Sequence, residues 1–110
     1  MTLIADEQGC AEQLARFFPA LPAVRIAVRV TPVRPAQEKL QERTLLEYGT
    51  EECAIFLSSL PLEFADRVRV ERDGGGHSVE AAVIALRYQE GRKAVAVRFL
   101  EAPCEWMRQP

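Results

Sequence analysis

The side chains in this chain that could do chemistry are few and scattered. His77, the single histidine, follows Gly74-Gly75-Gly76 at what reads as a hairpin tip, exposed and with no second group to orient it. It reads as a solvated turn residue. The triple glycine lacks the following helix and the lysine of a phosphate loop, and reads as a flexible turn. Glu51-Glu52 supplies at most half of an acid–base or metal site, because no histidine or aspartate cluster accompanies it. Cys53 opens an apolar run with no basic neighbour in sequence, the setting of an inert core thiol. Cys10, Cys53 and Cys104 are far apart, odd in number and free of metal-ligand spacing, so they fit reduced thiols. The expectation is a non-enzymatic protein with no catalytic residue, no cofactor and no metal.

Arginine is what recurs at regular spacing. Arg25, Arg29, Arg67, Arg69 and Arg98 alternate with apolar residues, which places them on the solvated faces of strands near glutamates. The elements that carry them follow from the change of period along the chain. Over residues 6–18 the apolar Cys10, Ala11, Leu14, Ala15, Phe17 and Phe18 recur at three- and four-residue steps, one stripe of a helix that Pro19 and Pro22 end. That stripe packs on the rest of the domain or its mouth, or meets a partner. The period then drops to two. Val24, Ile26, Val28 and Val30 alternate with polar positions up to Pro32 and Pro35.

Further strands are expected at 42–48, 53–58, 66–72, 78–89 and 94–100. The turn residues Gly49-Thr50-Glu51, Leu60-Pro61-Leu62, Asp73 to Gly76 and Glu90-Gly91-Arg92 separate them. In 78–89 the pattern puts Val79, Ala81, Val83 and Ala85 on one face and Ala82, Ile84, Leu86 and Tyr88 on the other. Six short strands with no helix between them predict an all-β fold, a closed six-stranded antiparallel barrel with a short N-terminal helix. A chain of 110 residues holds one hydrophobic core. Residues 1–21 read as a helical extension and 22–110 as the barrel domain with a short C-terminal tail.

With 14 basic and 16 acidic residues the net charge is −2, which gives no global case for nucleic acid or anionic membranes. The acidic Asp6 and Glu7 stand where a signal peptide needs a basic and then an apolar region, and no apolar stretch approaches membrane-span length. The expectation is a cytoplasmic protein with no membrane insertion.

The stretch from Arg25 to Trp106 resembles a PilZ domain, the bacterial barrel known as a receptor for cyclic di-GMP. The match is clearest in Ala94-Val95-Ala96-Val97-Arg98-Phe99-Leu100-Glu101-Ala102-Pro103, similar to the family's closing strand, and in the hairpin of Asp66 to Glu71 with Val79 to Leu86. The resemblance implies two ligand motifs. An RxxxR motif falls on Arg25 and Arg29, about 13 Å apart on one strand face, or is broken at Leu21 if Arg25 is its second arginine. The DxSxxG motif falls on Glu47, Gly49 and Glu52 and retains none of its residues. A carboxylate at Glu52, with Glu51 beside it, opposes an anionic nucleotide by about 1 kcal/mol or more.

The resemblance therefore implies a degenerate member that keeps the barrel and acts through contact with an unknown bacterial protein in a signalling, motility or surface-attachment pathway. Its contact surfaces would be the helix with Phe17 and Phe18 and the tail with Trp106 and Met107, unless these pack as core. The helix stripe could also pair two copies into a homodimer. The alternative is a cyclic di-GMP receptor using Arg25, Arg29 and Arg98, with Arg34 nearby.

Overall fold

A computed structural model describes residues 9–18, 21–34, 39–75 and 77–107. Its six strands are β1 (Ala23–Pro32), β2 (Glu42–Gly49), β3 (Cys53–Leu57), β4 (Arg67–Arg72), β5 (Ser78–Gln89) and β6 (Arg92–Phe99). They close into a barrel in the order β1-β2-β3-β6-β5-β4, every neighbouring pair antiparallel. This is the expected PilZ-like six-stranded barrel. Closure satisfies the backbone of every strand and leaves no open edge.

The alternating valines fill the interior. Val28, Val30, Leu46, Ala54, Phe56, Val68, Val70, Ala81, Val95 and Val97 are wholly buried there, with Val83 and Phe99 beside them. Residues outside the strands close both mouths. At one end the loop after β3 drops Leu60 and Leu62 into the core. Lys93, on an inward-facing position of β6, donates its ammonium to the Leu60 carbonyl there. Burial lowers the Lys93 pKa, while Glu42, Asp66 and Glu63 work in the opposite direction. At the other end the chain turns back after β6, and Cys104 and Met107 join the core.

This return settles the tail. The ring of Trp106 meets Phe99 edge-on at 6.1 Å, its indole N–H donates to the His77 carbonyl, and Arg72 donates to the Trp106 carbonyl. Met107 is buried in the core, and Trp106 packs against it partly buried. A tail of this composition is best buried where its ring and sulfur exclude water and its indole N–H finds an acceptor.

The helix, α1 (Cys10–Ala15), lies within the predicted segment, whose residues before Gly9 fall outside the described residues. It packs on the barrel wall over β3, β6 and β5. Cys10, Ala11 and Leu14 are buried against Ile55, Ala94 and Ala96, with Ile84, Ala85 and Leu57 around them. The alanines matter here, because small side chains on the wall let a helix approach closely. The Cys10 thiol donates to the Arg87 carbonyl at 3.1 Å, and Arg87 donates to the Gln13 side chain at 2.8 Å. Cys10, Ala11 and Leu14 of the stripe are thus buried within the chain. Phe17, at 71% exposure, stays outside.

Three irregularities break the simple alternation. A register shift between Val83 and Ala85 puts both Ile84 and Ala85 on the outer wall under α1, so Leu86 turns into the core. The expected faces of β5 therefore hold up to Ile84 and swap from Ala85 onward, because one inserted residue reverses every later side chain. Similar shifts lie in β1 between Ala23 and Ile26 and in β2 between Leu46 and Tyr48.

Candidate functional site

The arginines singled out from sequence all reach the outer wall. Ile26, Val28 and Val30 point inward, so Arg25 and Arg29 point outward on β1. The shift beside Arg25 means that they do not sit on one uninterrupted strand face. Arg25 lines a depression of about 280 Å³ with Val24, Leu45, Glu47 and Tyr48. Arg29 faces β4 instead, 3.5 Å from the Glu71 carboxylate, in a separate hollow of about 220 Å³ lined by Arg72, Asp73, Gly74 and Gly75. Arg98 is exposed on β6, opposite Cys53 and Ala82. In the barrel order β6 lies across from β1. Arg98 therefore points away from the other two, and the three are not brought to one pocket. Arg34 lies at the barrel end, paired with Asp66.

The positions that stand for the second motif surround the β2–β3 turn. Thr50 accepts from the Glu52 and Cys53 N–H groups at 3.1 and 3.4 Å, a side-chain-held turn that leaves Glu52 exposed. Gly49 is buried under the returning tail: a Cβ there would lie 2.6 Å from Met107 Cε and 3.0 Å from the Cys53 carbonyl. Its glycine is explained by packing against the tail. Glu47 lines the Arg25 depression, and Glu71 and Asp73 line the Arg29 hollow, where Glu71 pairs with Arg29. Arg69 on β4, expected on a solvated face, and Arg43 on β2, which the sequence pattern does not single out, share the outer wall with Arg29: Arg43 stands directly opposite it. Only strand register reveals that.

His77 is exposed at the hairpin tip, as expected. Among the described residues no group of three or more His, Cys, Asp and Glu side chains is placed to hold a metal, and no helix is long and apolar enough to cross a membrane. Cys53 departs from expectation in one respect. It is half-buried on the outer wall, with Arg98 as its cross-strand neighbour. Burial still raises its pKa, with Glu52 adding to the rise and Arg98 opposing it. Cys104 is raised first by burial as well, with backbone hydrogen bonds from Met107 and Trp106 opposing. Only the thiolate is nucleophilic. Iodoacetamide at about pH 7 is therefore expected to alkylate the native protein at least about tenfold more slowly than the urea-unfolded chain. The Cys53 rate should climb as pH passes the ordinary thiol range. Peptide mass mapping checks this, and fast native labelling of Cys53 at neutral pH would contradict it.

No family model and no curated protein matches this sequence. Among solved structures the chain is similar in fold to the Bacillus subtilis inhibitor of motility, MotI/DgrA, with a TM-score of 0.59 at 12% identity. The match covers 79% of this chain and 47% of that one, so the chain spans about half the length of that structure. At this identity the likeness is one of fold.

Proposed function

We propose that this domain is a degenerate PilZ-like regulatory barrel that acts by binding another protein on its outer wall, without catalysis and without cyclic di-GMP. The observation that carries the reading is the filled barrel. A filled interior leaves no room for a small ligand inside the barrel. Here the interior is packed with side chains, and Leu60 and Leu62 at one end and Cys104 and Met107 at the other complete the core. Recognition is left to the exterior. There Arg25 and Arg29 line separate depressions that also hold Glu47, Glu71 and Asp73, and Arg98 lies across the barrel from both. The fold likeness to an inhibitor of motility supports a regulatory role.

Calorimetric titration tests the proposal. No heat beyond dilution is expected with cyclic di-GMP up to about 100 μM. Low-micromolar binding that disappears in Arg25→Ala or Arg29→Ala would overturn it in favour of the receptor reading.

A further inference from the structure

Of the 14 basic residues in the chain only Lys39 and Lys93 are lysines. Arginine keeps its proton and offers no free lone pair, so side-chain amine chemistry is confined to these two positions. Lys39 is exposed, whereas Lys93 is half-buried at the barrel mouth that Leu60 and Leu62 close. Lys93 alternates with the inward Val95, Val97 and Phe99 of β6. Its ammonium donates to the Leu60 carbonyl, and its own carbonyl accepts from the Ser58 N–H at 3.0 Å. Backbone and side-chain tip are both held.

Beside the amine lies a hollow of about 430 Å³, lined by Lys93 with Ser58, Ser59, Tyr88 and Gln89. Tyr88, the cross-strand partner of Lys93, is largely exposed there. The Gln89 Oε1 is buried and has no hydrogen-bond partner among the described residues, an acceptor that lacks its donor. Glu42, Glu63 and Asp66 act on the amine, but Glu42 is taken up by the Ser58 and Ser59 hydroxyls at 2.6 Å and Asp66 by Arg34. Burial outweighs these carboxylates and lowers the Lys93 pKa, so the folded barrel favours an uncharged nitrogen at this place.

We propose that Lys93 is a modification site, at which Nζ takes a small acyl group from a thioester. The proposal stands apart from the protein-contact reading. Lys93 first loses one proton to water, and the neutral amine keeps an N–H for the Leu60 carbonyl while its lone pair is freed. The lone pair attacks the thioester carbonyl carbon. A C–N bond forms, the C–S bond breaks, and the leaving thiolate takes the second amine proton. The product is an amide and a thiol. Arg92 and Glu90 both line the hollow, so neither sign of charge is favoured and a neutral donor fits. Thioesters whose thiol carries a nearby amide also bring an N–H that Gln89 Oε1 can accept. The acylated lysine is uncharged, as the site favours, and the charge of this end of the barrel changes by one without opening the mouth.

The test incubates the full chain at about pH 8 with S-acetyl-N-acetylcysteamine, a small neutral thioester, and follows acetylation by peptide mass mapping. In the folded chain Lys93 is expected to react about fivefold or more faster than Lys39, and in urea within about twofold of it. Gln89→Leu should slow Lys93 about threefold and leave Lys39 unchanged. Acetylation of Lys93 and the variant Lys93→Gln should each hold or raise Tm, since both remove an ion that the fold desolvates and keep an N–H for Leu60. Lys93 reacting no faster than Lys39 in the folded chain would overturn the proposal. So would a fall in Tm of about 4 °C or more on acetylation, because the hollow would then not take the acyl group. A preference for acetyl phosphate over the thioester that is lost in Arg92→Thr would overturn the choice of a neutral donor.

Discussion

Phe99→Ala is expected to destabilise the domain by about 3–5 kcal/mol, a large part of the total stability of a domain this size. Phe99 is 2% exposed, close to where the barrel wall meets the returning tail. Truncation removes its burial and leaves a cavity that the rigid barrel can only partly collapse. It also strips Trp106 of its edge-on partner, worth a further 0.5–1.5 kcal/mol or so. Urea unfolding followed by tryptophan fluorescence reads both effects, because Trp106 is the single tryptophan. A loss below about 1.5 kcal/mol would mean that the tail does not close the barrel as described.

Gly49→Ala is expected to cost about 1–3 kcal/mol. The new methyl would meet Met107 Cε at 2.6 Å, the Cys53 carbonyl at 3.0 Å and Ala54 Cβ at 3.3 Å. The methionine end can move, whereas the backbone carbonyl and the strand cannot. The Gly49→Ala penalty should therefore shrink, without vanishing, in a Met107→Ala background, and a double-mutant cycle by chemical denaturation measures that coupling. Equal penalties in both backgrounds would show that the tail does not rest on this glycine. An alanine here is a sensitive probe because it tests the contact between the β2–β3 turn and the C-terminal tail, which are distant in sequence.

How much of the molecule was legible beforehand follows from how local each feature is. The strand of Ser78–Gln89 was readable to the residue, and Val68, Val70, Val95 and Val97 were readable as core, because the period-two pattern reflects the pleat of the strand itself. The inserted residue near Ile84 was not readable. A bulge leaves the hydrophobicity of Ala85 and Leu86 unchanged while reversing which wall each one faces. The tail was readable as apolar but not as inward, since burying Met107 depends on finding Gly49 beneath it.

The candidate site divides in the same way. Its arginines were visible as polar positions on strands, but their company was not. That Arg25 shares a depression with Glu47, that Arg29 faces Glu71 and Arg43, and that Arg98 looks out from the opposite side of the barrel are facts of strand order and register.

By itself the sequence determined the class of fold, the number and course of the strands, the apolar core and the poverty of catalytic groups, because each is written in residue type and short-range period. Only the tertiary structure decided which faces the later strand residues take, that the tail and a loop close the barrel, and which charges stand together. Those depend on pairings between segments far apart in the chain, where a shift of one residue moves a side chain from core to solvent and a change of neighbour turns a neutralised arginine into an unpaired one.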